Sequence, residues 1–213
     1  MSRIDASVYL VTDTVLCGGP AGVVDTVRRA VTGGVSAVQI RDPLASTRDL
    51  AALATAVLDA LRETGIPVIV NDRVDVALAV GAHGVHVGQR DLHPLAARRL
   101  IGPAAHLGLS VSTEAELRDA LMLPDGTVDL LGVGPIRDTP SKTDAAPAIG
   151  FDALAAMCAA GSVPCVAIGG VKAADIPELR RAGAVGLAVI SAICGQADPA
   201  AAAATLRRGW DAP

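Results

Sequence analysis

Asp72 and Asp91 each follow a short apolar run, "PVIVND" and "GVHVGQRD", in consecutive stretches of the chain. Two carboxylates so placed can share one hard cation. Mg²⁺ typically takes one or two carboxylates and fills its other positions with water and substrate phosphate oxygens. A competing assignment is that each Asp caps the helix that follows it. Arg41, at the end of "AVQIRD", tips the balance toward the metal, because Arg, Mg²⁺ and a Lys together form a clamp for a polyphosphate. Other apolar runs close on polar side chains as well: Gln39 beside Arg41, Asn71 beside Asp72, Gln89, Ser110 and Ser191, with the pair Gly169-Gly170 after "CVAI". Gln39 and Arg41 share one face by the two-residue period of a strand. His86 lies inside an apolar run and His93 precedes Pro94, so both read as structural.

The elements that must position these residues alternate along the chain. Strands are expected at 8–13, 37–42, 67–72, 84–89, 107–111, 130–135, 165–170 and 186–191, as short runs rich in Val, Ile and Leu. Helical spacing of Ala, Leu and Arg falls near 20–32, 48–64, 73–80, 92–101, 113–123, 151–160, 173–182 and 199–208. Three helix exits, "GGVSAVQI", "GAHGVHVG" and "AGAVGLAVI", place Gly where a helix stops and a strand begins. Eight βα units with near-continuous apolar strands imply a closed parallel (β/α)₈ barrel, with an open doubly wound sheet as the alternative. The expected organisation is one domain over 1–213. In such a barrel the strands end at the active-site face, and the loops after strands seven and eight often take phosphate. Gly169-Gly170 and Ser191 fall there.

Composition narrows the function classes. Of the 213 residues 51% are hydrophobic and 19% charged, enough apolar matter for a core and too much for disorder. A net charge of −4 without any Lys/Arg run argues against nucleic acid as the main partner. The four cysteines, Cys17, Cys158, Cys165 and Cys194, lack CxxC spacing and read as reduced core residues. No apolar run approaches the roughly 20 residues of a membrane span, and the N-terminus does not read as a secretory leader, so a cytoplasmic protein off the membrane is expected.

Several stretches, "YLVTD", "VQIRD", "PVIVNDRVDVALAVGAHGVHVGQRDL", "GLSVST", "VGPIRDTPSKTDAAPAIG" and "AIGG", resemble those of the thiamine-phosphate synthases over nearly the whole chain. The resemblance implies a (β/α)₈ barrel that joins a pyrimidine methyl diphosphate to a thiazole phosphate and releases pyrophosphate. It implies Mg²⁺ on Asp72 and Asp91. It further implies the pyrimidine diphosphate on Gln39, Arg41, Asn71, Ser110 and Lys142, and the thiazole phosphate on Thr139, Ser141, Gly170, Ile190 and Ser191. Within this set Arg41, Lys142 and Ser110 are the expected catalytic contacts. The polar segment from Pro135 to Pro147 then reads as a lid, loose when empty and ordered by both substrates. The expected assembly is a monomer or a homodimer.

The chain also departs from the family. Asp42-Pro43 stands where many relatives continue from the Arg to a Lys, which removes a positive charge. Ser141 replaces the commoner Thr, and Arg137-Asp138 replaces an aromatic-Pro pair, so Arg137 either restores the lost charge or points to solvent. Two other functions compete: a thiazole tautomerase, whose relatives carry His where this chain has Ser112, and a barrel that binds a thiazole or nucleotide without catalysis.

Overall fold

The computed structural model describes residues 4–138 and 147–212. Eight strands, β1 (Val8–Val11), β2 (Ala37–Ile40), β3 (Val68–Asn71), β4 (Gly84–Val87), β5 (His106–Val111), β6 (Leu130–Val133), β7 (Cys165–Ile168) and β8 (Gly186–Val189), pair in parallel in chain order, and β8 returns to β1. The barrel is closed, and the open-sheet alternative falls away. Among the described residues eight α-helices alternate with the strands: α1 (Pro20–Thr32), α2 (Thr47–Leu61), α3 (Val74–Val80), α4 (Pro94–Ile101), α5 (Glu114–Leu121), α6 (Gly150–Ala159), α7 (Ile176–Arg181) and α8 (Pro199–Asp211). No helix among the described residues is long and apolar enough to cross a membrane.

Local chemistry sets the helix boundaries. Ser46 accepts a hydrogen bond from the Asp49 N–H at 3.2 Å to start α2, and Leu50, Leu53, Ala54, Val57 and Leu61 then recur at helical spacing on its buried side. At α5 the sequence "STEAE" forms a capping box, in which Thr113 takes the Glu116 N–H and Glu116 returns to the Thr113 N–H. The stretch expected as one helix over 173–182 divides into a 3₁₀ turn, Ala173–Asp175, and then α7. Pro177 explains the break, since it has no N–H to give the turn behind it and fits only in a first helical turn.

The period of two along each strand builds two apolar layers. Val8, Leu10, Val38, Ile40, Val68 and Val70 face the helices in the larger cluster. Tyr9, Val11, Ala37, Ile69, Leu130, Val166 and Ala188 fill the barrel interior. Each large aliphatic chain buried in either layer stabilises the fold by roughly 1.5–3 kcal/mol relative to exposure. All four cysteines are free; Cys165 and Cys194 belong to the core, whereas Cys17 and Cys158 are only half-buried.

Candidate active site

A cavity of about 650 Å³ occupies the carboxyl ends of the strands. Its lining continues the inward face of each strand. Gln39 and Arg41 come from the end of β2, Asn71 from β3, His86 from β4, Ser110 and Ser112 from the end of β5, and Ile190 and Ser191 follow β8. Seven of the residues expected at the site therefore meet around one space: Gln39, Arg41, Asn71, Ser110, Gly170, Ile190 and Ser191. Thr139, Ser141 and Lys142 lie outside the described residues.

Buried neighbours fix the polar ring. The Gln39 side chain, 5% exposed, donates from Nε2 to the Tyr9 hydroxyl at 3.1 Å. Burial pushes the Tyr9 phenol well above the ordinary tyrosine range, with the Gln39 hydrogen bond a smaller opposing influence, so the hydroxyl stays protonated. Arg41 is pinned through its backbone: its N–H donates to the Thr12 Oγ1 at 3.0 Å, and Thr12 is fully buried. Thr12 escaped sequence reading because its contact is to main chain, which leaves no pattern in the sequence.

His86 requires a correction. Its place inside a strand read as structural, yet its ring lines the cavity and its Nε2 lies 2.9 Å from the Ser110 Oγ. Space for the imidazole comes from the next two strands. A Cβ at Gly108 would stand 2.2 Å from the His86 Nδ1, and one at Gly132 would stand 3.0 Å from its Cε1. The signal was present in the two-residue period, which sets Gly84 and His86 on the inward face opposite Val85 and Val87.

Arg137 does not point away unpaired. Its guanidinium grips the buried Asp175 through Nη2 at 2.7 Å and Nε at 3.3 Å, and its Cζ lies 5.2 Å from the centre of the Phe151 ring. The start of the expected lid is anchored as well. The Ile136 N–H donates to the Ile168 carbonyl at 2.9 Å, and the Arg137 N–H to the Gly169 carbonyl at 3.0 Å. Ile136 and Arg137 are thus paired with the end of β7 and the turn after it. Opposite them Gly169 and Gly170 adopt left-handed backbone, φ 91° and 66°, and a Cβ at Gly170 would come within 2.8 Å of the Arg137 Cβ.

Asp72 and Asp91 do not line this cavity. Asp72 follows Asn71 with φ 60°, the one non-glycine residue with positive φ among those described, and its N–H donates to the His86 carbonyl at 2.7 Å. Such backbone is uncommon outside Gly and concentrates at functional positions. The Asp91 Oδ2 accepts the Gly88 N–H at 2.7 Å, which leaves further lone pairs on the carboxylate. Neither residue takes a helix N-cap position: Arg73 occupies that of α3, and His93 that of α4, accepting the Leu95 N–H on Nδ1 at 3.3 Å. His93 is structural, as expected. Among the described residues no group of three or more His, Cys, Asp or Glu gathers around a common point. Two carboxylates on adjoining loops are oxygen donors of the kind a hard divalent cation takes.

Fold and lining define a (β/α)₈ barrel with a polar cavity, lined by Arg41, Arg137 and Lys172, at the carboxyl end of its strands. The family model described as thiamine monophosphate synthase matches residues 8–193. A thiamine-phosphate synthase of Azorhizobium caulinodans is 50% identical over 95% of this chain and 94% of its own length. One from Albidiferax ferrireducens is 48% identical over 96% of this chain and 91% of its own. Among solved structures, a thiamine phosphate pyrophosphorylase from Pyrococcus furiosus superposes with a TM-score of 0.85 at 33% identity, covering 97% of this chain and 96% of that one. The chain belongs to the thiamine monophosphate synthase family. A 3-hexulose-6-phosphate synthase, with a TM-score of 0.72 at 22% identity over 95% of this chain and 99% of that one, shares the fold alone.

Proposed function

We propose that the chain is a transferase that joins an aminopyrimidine methyl diphosphate to a thiazole phosphate, forming thiamine phosphate and pyrophosphate in the cytoplasm. One barrel domain carries the activity, as a monomer or homodimer. The observation that carries this reading is the convergence of Gln39, Arg41, Asn71 and Ser110 on one side of a cavity whose other side bears Gly170 and Ser191. The space of about 650 Å³ falls within the size range of small-molecule sites.

The reaction breaks the bond between the pyrimidine methylene and the diphosphate oxygen, and the electron pair leaves with pyrophosphate. The thiazole nitrogen lone pair then forms the new bond to that carbon. No proton need move, so no general base is required. Arg41 is assigned to the charge that grows on the leaving group, and Lys142 joins it on the strength of the family resemblance. Mg²⁺, when bound by Asp72 and Asp91, supplies further positive charge to the diphosphate. Gln39, buried and oriented by Tyr9, and Asn71 present amides to the aminopyrimidine. Ser110, held against His86, completes that wall. Thr139, Ser141, Gly170, Ile190 and Ser191 are assigned to the thiazole phosphate. A tautomerase would want an imidazole at position 112, where Ser112 lines the cavity.

The test is pyrophosphate release with both substrates and Mg²⁺, each omitted in turn. Release only when all three are present is expected. Release without the thiazole phosphate at an equal rate, or none at all, would overturn the reading.

A further inference from the structure

Among the described residues three cationic side chains line the cavity: Arg41, Arg137 and Lys172. They are not equivalent. Arg41 follows β2 beside Gln39. Arg137 and Lys172 belong to the far side, where the loop after β6 packs on the loop after β7. One buried carboxylate organises that side. Asp175, 6% exposed, takes the Arg137 guanidinium in two hydrogen bonds at 2.7 and 3.3 Å, and its Oδ2 also accepts the Lys172 N–H at 2.9 Å.

The consequences for the two cations are opposite. Arg137 spends its charge on Asp175 and its face on Phe151. Among the described residues the Lys172 side chain forms no ion pair, and its backbone N–H alone is tied to Asp175, so its ammonium faces the cavity it lines. The main chain leading to it, Gly169-Gly170-Val171, lines the same wall, with Ser191 and Gln196 from the neighbouring unit. Among the described residues that line this side, Asp138, exposed at the rim, carries the opposing charge.

We propose that Lys172 is a specificity-determining residue that recognises the phosphate monoester of the thiazole substrate, with Asp175 withdrawing Arg137 from that role. This rests on the synthase reading above. It places one cation at each end of a substrate pair that carries a diphosphate and a monophosphate. Arg41 serves the first and Lys172 the second. The effect is in binding, because the monophosphate bears the same charge before and after reaction and gains nothing in the transition state.

The experiment compares wild type, Lys172→Met and Arg137→Met in calorimetric binding of thiamine phosphate and of unphosphorylated thiamine, at two salt concentrations. Lys172→Met should lose about tenfold in affinity for thiamine phosphate, the scale of one exposed charge-assisted hydrogen bond, and nothing for thiamine. Its thiamine phosphate binding should also become less sensitive to salt. In turnover, the KM for the thiazole phosphate should rise with kcat and the KM for the pyrimidine diphosphate little changed, and Lys172→Arg should recover most of the loss. An unchanged preference for the phosphorylated ligand in Lys172→Met would overturn the proposal. So would a specific loss of that preference in Arg137→Met. A wild-type chain that forms no thiamine phosphate would instead overturn the functional reading itself, a result read before any variant is made.

Discussion

At the level of single residues, the site is built from groups whose protonation is set by what surrounds them. The Tyr9 phenol is raised by burial, so its ionised form is disfavoured in the folded protein. Its contribution to stability is therefore fully present below about pH 10, the ordinary tyrosine value, and is lost as pH rises from there toward the raised folded value. Tyr9 is the sole tyrosine, so tyrosinate absorbance reports it alone. That absorbance should appear together with loss of the circular dichroism signal, and its appearance near pH 10 in a still-folded protein would refute the buried environment. Two cysteines behave in the opposite sense. The Cys17 thiol is drawn down to about 6, chiefly by the neighbouring Cys194 thiol, and the Cys158 thiol is lowered by the neighbouring Cys165. The buried partner of each pair is raised. Brief alkylation with iodoacetamide at neutral pH, followed by peptide mapping, should find Cys17 and Cys158 labelled well ahead of Cys165 and Cys194. Equal labelling of all four would contradict the pairing.

Between elements, charge also serves the end of the barrel away from the cavity. Arg98 of α4, half hidden in a sequence that reads as an amphipathic helix, donates to the carbonyls of Gly102, Ala105 and Thr127 at 2.7–3.0 Å and to the Asp129 Oδ2 at 2.7 Å. The same oxygen takes the Leu107 N–H at 2.9 Å, so α4 is stitched to the amino-terminal ends of β5 and β6. Arg98→Met would take the charged partner from a buried carboxylate and the donors from several carbonyls, at a cost of about 3–5 kcal/mol. A urea melt should show the loss, while kcat per folded molecule stays near wild type. A change in kcat with unchanged stability would place Arg98 in the wrong role. This ion pair could not be read from the chain, since an Arg on a helix face looks solvated until its neighbours are known. The barrel could be read, because eight Val/Ile-rich runs alternate with helical spacing and each interior layer follows from a period of two. Within the site, residues that end strands, such as Arg41 and Ser191, were legible by position. His86 read as structural and Thr12 was not singled out, because their places at the site depend on two glycines across the sheet and on a main-chain contact. Arg137 was seen as a departure, but its partner Asp175 is too far along the chain for spacing to suggest.

Across the whole molecule the two ends of the barrel divide the work: packing and the Arg98 network at one, backbone strain and cavity-facing polar groups at the other. Asp72 shows the division most directly. It holds left-handed backbone at φ 60°, a conformation that costs a non-glycine residue about 1–3 kcal/mol, at the point where β3 hands the chain to the cavity. A residue kept there for stability alone would be Gly. If the carboxylate is the reason, then Asp72→Asn, which tolerates the same backbone and keeps the shape, should fold as well as wild type and yet lose metal-dependent behaviour. Asp91→Asn should do the same, with its amide oxygen still able to accept the Gly88 N–H. The readout need not be turnover. A ligand that binds only the folded state raises the melting temperature in proportion to the logarithm of its saturation. Mg²⁺ and pyrophosphate together should therefore raise the wild-type melting temperature more than the sum of their separate effects, because each supplies ligands or charge to the other. In either variant the baseline melting temperature should stay within a few degrees of wild type, and the joint increment should vanish. A joint increment that survives in both variants would remove the metal from these two carboxylates. A collapse of baseline stability in both would show that they hold up the fold instead.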